Sequence, residues 1–303
     1  MSQRALITGV NGFVGTYLEQ ELYQAGYEVI GTDLQGRAVT ADLLNKETTK
    51  NLVNDIAPDY IFHLAGQASV ALSWQNPQMT VDVNVIGTLN LLDGVKIADK
   101  PIRVIIIGSS DEYGKVKKED CPISERFEPH PESPYAVSKY MQEKMALLYQ
   151  KAYGMDVVLT RSFNHTGPGQ KKGFVIPDFA SQIARIEKGA EPVLRVGNLN
   201  ARRDFSDVRD IVRGYRLLAE TGKCGEIYNI GAGKSYQIAE ILRILVSLAK
   251  IKIDVIEEPE KMRPIDTPLI LADIEKIRRD TGYVPKFRIE DTLKDTLDYW
   301  RNN

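Results

Sequence analysis

The chain has 303 residues, of which 43% are hydrophobic and 26% charged, with a formal net charge of −2. That balance offers no basic footprint for nucleic acid, and no apolar run has the length that spans a bilayer. The two cysteines, Cys121 and Cys224, are far apart, and the three histidines, His63, His130 and His165, form no close cluster. No metal site is therefore expected, and the thiols read as reduced groups of a cytoplasmic protein.

Ala5-Leu6-Ile7 predicts a first strand, and Thr8-Gly9-Val10-Asn11-Gly12-Phe13-Val14-Gly15 predicts a turn into a helix. Glycines spaced three apart let the backbone approach a pyrophosphate and present it to a helix N-terminus. Free N–H groups and the helix dipole favour negative charge there. Gly9, Asn11, Gly12, Phe13, Val14 and Gly15 are thus candidate cofactor residues. The motif stands so near residue 1 that no cleavable targeting segment is expected before it.

Glu28 to Thr32 predicts a second strand. Asp33 at its end is spaced to accept hydrogen bonds from an adenosine ribose and to repel a 2′-phosphate. NAD is therefore favoured over NADP, and Arg37 is the residue that would reach a 2′-phosphate if the loop folds back. Lys46 to Ile56 reads as a helix stopped by Pro58, Tyr60 to Leu64 as a strand, and Thr80 to Ile97 as a long helix. A strand over Arg103 to Gly108, a helix over Pro134 to Tyr153 and a strand over Val157 to Thr160 follow. Such repetition predicts an α/β fold, a doubly wound parallel Rossmann sheet with ligands at the carboxyl ends of its strands. Towards the chain end come Pro-containing loops, short strands and helices over Ile238 to Ala249 and Ile289 to Trp300. No Ser/Gly-rich linker separates the halves. The expected organisation is a dinucleotide-binding domain over 1–163, with 204–230 returning to it. A smaller α/β substrate domain would comprise 164–203 and 231–303.

Two further segments carry chemistry. Tyr135 and Lys139, four apart on a helix, share a face. A phenol with an ordinary pKa near 10 is a poor acid or base at neutral pH. A neighbouring ammonium would lower that value, and so would the positive end of the helix if Ser133 is the N-cap and Pro134 the first helical residue. Ile107-Gly108-Ser109-Ser110-Asp111-Glu112-Tyr113-Gly114 follows an apolar strand and delivers hydroxyls and carboxyls to the sheet edge. A hydroxyl there can hydrogen-bond a sugar oxygen while the tyrosine moves the proton.

Together these features resemble the extended short-chain dehydrogenase/reductase superfamily, in particular its nucleotide-sugar epimerases, dehydratases and reductases. The resemblance runs on through Asp42-Leu43, His63-Leu64-Ala65-Gly66, Asn84-Val85-Ile86-Gly87-Thr88, Ser162-Phe163-Asn164-His165 and Arg203 to Asp210. It implies that Ser109, Tyr135 and Lys139 are catalytic, with Asp111 in the position of a base and Ser110 beside it. It sets Asp42 and Leu43 near adenine and Leu64, Ala65 and Gly66 along the cofactor. It gives the substrate Asn164, Val175, Arg203 and Arg263, the two arginines and Asn164 on its diphosphate.

Asn164-His165-Thr166-Gly167-Pro168-Gly169-Gln170 looks most like the branch of GDP-mannose 4,6-dehydratases and GDP-4-keto-6-deoxymannose reductases. Those mannose dehydratases use Glu where Asp111 stands. The resemblance therefore implies reduction of the C4 keto group of a GDP-4-keto-6-deoxyhexose with NAD or NADP. Dehydration, C4 epimerisation and a silent dinucleotide sensor are the alternatives. Family helices equivalent to 80–97 and 134–153 pair across a two-fold axis. Leu89, Leu92, Val95, Met141, Met145, Leu148 and Tyr149 lead to the expectation of a homodimer.

Overall fold

The computed structural model describes residues 2–36, 38–258, 260 and 267–303. Its first half alternates β1 (Arg4–Thr8), α1 (Phe13–Gln24), β2 (Glu28–Asp33), β3 (Val39–Thr40), α2 (Lys46–Ile56) and β4 (Tyr60–His63). There follow α3 (Val70–Gln75), α4 (Pro77–Val81), α5 (Gly87–Lys96), β5 (Arg103–Ser109), α6 (Pro134–Tyr153) and β6 (Asp156–Ser162). Next come β7 (His165–Thr166), α7 (Val175–Glu187), β8 (Val193–Val196), β9 (Arg202–Asp204), β10 (Ser206–Asp207), α8 (Val208–Thr221) and β11 (Ile227–Ile230). The chain closes with β12 (Ser235–Gln237), α9 (Ile238–Ser247), β13 (Asp254–Glu257), β14 (Leu269–Ile270), α10 (Glu275–Thr281) and α11 (Ile289–Asn302).

Seven parallel strands form the main sheet in the order β11-β6-β5-β4-β1-β2-β3. The order reverses at β1, which makes its carboxyl edge a ligand crevice. Period-two alternation sends the strand residues to two cores. Ala5, Ile7, Ile105 and Val158 join Leu18 and Leu22 of α1 and Ile211, Tyr215 and Leu218 of α8. Leu6, Val104, Ile106, Val157 and Leu159 join Leu52 and Val53 of α2, Leu91 and Leu92 of α5 and Ala146 of α6. Both faces are covered, so the central strands carry almost unbroken apolar runs. A third core ties Phe179 and Ile183 of α7 to Ile241 and Leu245 of α9 and to Leu293 and Leu297 of α11. This is the α/β doubly wound architecture that the βαβ repetition predicts.

Local chemistry fixes the helix ends as read. Asn45 accepts the Thr48 N–H to cap α2, Ser133 accepts the Ala136 N–H to cap α6, and Gly154 ends α6 in the left-handed conformation. The long helix over Thr80 to Ile97 is interrupted, because Asp82–Ile86 forms one π turn between α4 and α5. The Asn84 side chain explains the need: it accepts the Gln67 N–H at 2.7 Å and donates to Gln67 O at 3.1 Å and to Ser138 Oγ at 2.8 Å. A π turn re-aims a side chain in this way at functional sites. Leu92 and Val95, expected at a partner helix, are instead buried in the protein's own core, because α5 packs against α2.

Gly9 lies at φ +73°, and a Cβ there would stand 2.8 Å from the Ala65 nitrogen. Only glycine brings the end of β1 this close to the end of β4. Gly9→Ala is expected to cost ~1–3 kcal/mol from the backbone conformation alone. Differential scanning calorimetry should show it as a lower Tm; an unchanged Tm would contradict the close approach.

Candidate active site

The glycine-rich loop sits at the carboxyl end of β1. Gly12, the N-cap of α1, contributes no side-chain hydrogen bond to the helix N–H groups. The first turn of α1 therefore keeps donors for an anion, and the close backbone approach at Gly9 leaves a cradle that a Cβ would fill. These residues fit a dinucleotide pyrophosphate. Asp33 accepts the Asn11 N–H at 3.0 Å and the Leu34 N–H at 2.8 Å, so the carboxylate also fixes the loop it adjoins. Asp42 accepts the Leu44 N–H at 2.9 Å, and Leu43 O accepts from Asn90 at 2.8 Å. The Leu64 N–H bonds Thr8 O and the Ala65 N–H bonds Thr8 Oγ1, each at 3.2 Å, which draws Leu64-Ala65-Gly66 alongside the glycine-rich loop. Arg37 and Arg263 lie outside the described residues.

Ser109 ends β5, and Ser110–Tyr113 forms a 3₁₀ turn after it. Ser109 Oγ accepts the Asp111 N–H at 3.2 Å, and the Ser109 side chain lies near enough to the Tyr135 phenol to favour its ionised form. Tyr135 is 8% exposed, in the first turn of α6. Sequence reasoning expects its phenol to be acidified by Lys139; in this structure the shift is the reverse. Burial raises the Tyr135 pKa above its usual value, and the nearby Asp111 and Glu112 raise it further. Lys139 does not offset this burial: its Nζ donates to Ile107 O at 2.6 Å and to Gln142 Oε1 at 2.8 Å. Burial also brings Lys139 itself down to about 8, against the pull of Glu112.

The partners of Lys139 belong to a buried polar chain that sequence reasoning missed. Gln142 Nε2 donates to Thr88 Oγ1 at 3.0 Å, and Thr88 Oγ1 donates to Asn84 O at 2.6 Å. The Thr88 proton is thereby used, so His63 Nε2, 2.9 Å away, must donate. His63 Nδ1 then accepts from Thr8 Oγ1 at 2.9 Å. Burial, and then the Lys139 charge, push the imidazole down to about 3, which keeps it neutral. One chain of hydrogen bonds thus joins the end of β1, the end of β4, α5 and the lysine on α6. Apolar periodicity around Thr88 and Gln142 gives no hint of it; a buried polar residue on an apolar helix face is the available signal.

A cavity of about 580 Å³ opens beside this edge, lined by Asn164, Val175, Arg185 and Arg203 among others. Ser109, Ser110, Asp111 and Tyr135 are not among its walls. Ser109 pairs in register with Ser162, however, two residues before Asn164, so the reacting edge and the cavity meet along β6. His165, a cavity residue that stands in the sequence motifs without an assigned role, stacks on Phe13 with ring centroids 6.4 Å apart. It links the glycine-rich loop to the cavity wall. Arg203 Nη1 donates to Arg202 O at 2.9 Å and Thr267 O at 2.7 Å, which fixes the guanidinium at the wall. Among the described residues no group of three or more His, Cys, Asp or Glu side chains is placed to hold a metal.

Comparison with known proteins agrees with this architecture. A family model described as GDP-mannose 4,6 dehydratase matches residues 6–296. GDP-6-deoxy-D-mannose reductase of Pseudomonas aeruginosa is 35% identical over 100% of this chain and 98% of its own length. GDP-mannose 4,6-dehydratase of Yersinia enterocolitica is 28% identical over 97% of this chain and 93% of its own. The structure of RMD from Pseudomonas aeruginosa complexed with NADPH superposes with a TM-score of 0.92 at 34% identity, covering 99% of each chain. With its Rossmann sheet, its glycine-rich loop and a match along nearly its whole length, the chain belongs to the GDP-mannose 4,6-dehydratase family of NAD(P)-dependent nucleotide-sugar enzymes.

Proposed function

We propose that this protein reduces the C4 keto group of a GDP-4-keto-6-deoxyhexose at the expense of NADH or NADPH. The observation that carries this reading is the Ser109 side chain beside the Tyr135 phenol, with the buried Lys139 one turn further along α6. It stands in a chain 35% identical along its whole length to GDP-6-deoxy-D-mannose reductase.

Gly9, Asn11, Gly12, Phe13, Val14 and Gly15 would hold the cofactor pyrophosphate, and Asp33 its adenosine ribose. Asp42, Leu43, Leu64, Ala65 and Gly66 would line the rest of its path. When bound, the reduced dinucleotide supplies the hydride. Tyr135 donates the proton to the C4 oxygen as negative charge develops there, and Ser109 Oγ holds the same oxygen by a hydrogen bond. Lys139 spends two of its three donors on Ile107 and Gln142 and keeps the third for the cofactor ribose. Its positive charge favours the tyrosinate that proton donation leaves. Asn164, Arg203 and Arg263 would clamp the substrate diphosphate, with Ser110 and Val175 against the sugar. The carboxylate at the end of β2 supports NAD over NADP, since it would oppose a 2′-phosphate.

Asp111, close enough to Tyr135 to raise its pKa, favours one second reading. A carboxylate there could act as the base of a dehydratase, the activity in the family's description. Further support for a homodimer comes from the outer side of α6, where Val137, Met141 and Leu148 are 40, 41 and 56% exposed. The two free cysteines fit a reducing, cytoplasmic setting.

Incubation with GDP-4-keto-6-deoxymannose and with GDP-mannose, each with and without NADH or NADPH, separates the readings. A reductase oxidises one reduced cofactor per keto sugar. A dehydratase converts GDP-mannose with none added, an epimerase inverts C4 with none added, and a sensor turns nothing over. In that assay Tyr135→Phe should lower kcat ~10²–10⁴-fold with cofactor affinity retained; activity within about twofold of wild type would remove Tyr135 as the acid.

Arg203→Ala tests the substrate side. Losing a charge-assisted partner costs ~1.5–3 kcal/mol, so KM for the nucleotide sugar should rise about ten- to a hundred-fold while KM for the dinucleotide stays unchanged. Equal defects for both ligands together with a lower Tm would assign Arg203 to the scaffold instead.

A further inference from the structure

Glu112 is fully buried, and none of the steps above uses it. It is the third residue of the 3₁₀ turn after Ser109, and its side chain folds back beneath β5. Oε1 accepts the Ser109 N–H at 2.7 Å, closing a capping box in which Ser109 Oγ caps the turn in return. Room for that return is made by Gly108, where a Cβ would run into Glu112 Oε1 and Thr160 O. The same residue that ends the reactive strand is therefore pinned from below by a carboxyl group.

The other oxygen is unmatched. Glu112 Oε2 is buried, and among the described residues it has no hydrogen-bond partner. Arg161 Nε lies 3.7 Å away, but its hydrogen bonds go elsewhere: Nε and Nη2 donate to the two oxygens of Glu143 at 2.8 and 2.9 Å. One guanidinium thus stands between two carboxyl groups and bonds only one of them. The groups that act on Glu112 come from every neighbouring element. Burial, and then Glu143 on α6, oppose its charged form; the Ser109 N–H, Arg161 on β6 and Lys139 on α6 favour it. Asp111 on its own turn and Tyr135 on α6 stand close by, Lys144 lies 3.4 Å from Glu143, and the Tyr113 ring packs under the Arg161 guanidinium at 4.7 Å. The net direction is upward, so the acid form persists well above the usual carboxyl range. A bare, buried carboxylate oxygen facing a second carboxyl group is costly, and a group so placed neutralises instead.

We propose that Glu112 works as a neutral carboxylic acid, a positioning residue that pins the Ser109 amide without placing a negative charge beneath Tyr135. The inference rests on the reading of Ser109 and Tyr135 as the reacting pair. Proton donation leaves negative charge on the phenol oxygen, and a carboxylate at 112 would oppose it. A neutral acid fixes the turn and leaves that charge unopposed. The requirement is for an acceptor of the right shape, not for an anion.

Two variants of the full chain and one titration test this. Glu112→Gln keeps an acceptor for the Ser109 N–H and mimics the neutral acid; Glu112→Leu removes the acceptor. In the keto-sugar assay near pH 7, the Gln variant is expected to keep kcat within about threefold. The Leu variant should lose about tenfold or more in kcat, with KM for both ligands nearly unchanged. A Gln variant as impaired as the Leu variant would mean the charge is required and would overturn the proposal. A Leu variant with wild-type kcat would overturn the positioning role.

The titration needs no activity. A carboxyl group whose folded pKa is raised contributes stability below its unfolded value, ~4.3, and loses it as pH rises through the folded value. Glutamine does not titrate. The Tm of Glu112→Gln minus that of wild type should therefore climb from about pH 5 to about pH 8. A difference that stays flat overturns the neutral acid. If the Leu variant does not fold, the Gln variant and the titration still decide. If wild type turns over no keto sugar, the reductase reading fails while the titration still reports the state of Glu112.

Discussion

A buried ammonium is the constraint on which the rest of this site depends. Lys139 is 6% exposed, and a lysine so placed must be bonded to oxygen or lose its proton. The backbone carbonyl of Ile107 and the amide of Gln142 supply the oxygen. Holding Gln142 in turn requires Thr88, and Thr88 is shared with His63 and the backbone of Asn84. The chain ends at Thr8, beside the Gly9 turn. Sheet, glycine-rich loop and the helix that carries Tyr135 are therefore not independent parts. A neutral His63 suits this arrangement, because a second buried cation near Lys139 would have no counter-charge.

The same low-polarity setting shapes the reacting groups. Burial makes Tyr135 a weaker acid and Lys139 a stronger one than either would be in water. Bringing a polarised carbonyl into the site changes what the phenol faces, since the proton then has an acceptor whose charge grows during transfer. Asp111 is the neighbouring charge that stands against the tyrosinate in this structure, and the Ser109 side chain favours it. The chemistry turns on whether that carboxyl group is ionised when the proton moves. Glu112 also serves the geometry, because its carboxyl oxygen sets the Ser109 backbone.

Much of this was legible in the sequence, for physical reasons that differ by element. α2 and α6 begin and end at the predicted residues because Asn45, Ser133-Pro134 and Gly154 state their own caps. Ser109 and Tyr135 come together because a strand end and a helix start, each marked by local chemistry, converge at one sheet edge. The π turn at Asp82–Ile86 was not legible, since it serves the tertiary demand of Asn84 on Gln67 and Ser138 and leaves the apolar spacing intact. Leu92 and Val95 read as partner-facing because helix periodicity cannot say which of two apolar faces meets the protein's own core. The direction of the Tyr135 shift escapes the sequence for a related reason. Four-residue spacing puts Lys139 on the right face, but only the fold reveals that its ammonium is spent on Ile107 and Gln142.

Reduction at C4 moves a hydride from the nicotinamide to the sugar. It is tested most directly with NADH and NADPH carrying deuterium at the transferable position of the nicotinamide, added to enzyme and GDP-4-keto-6-deoxymannose. Mass and NMR spectra of the recovered sugar nucleotide should show one deuterium, bonded to C4, for each cofactor oxidised. Sugar product that forms without label, or with the cofactor left reduced, would contradict it. The cofactor would then be recycled within the site, and the protein would be a dehydratase or an epimerase.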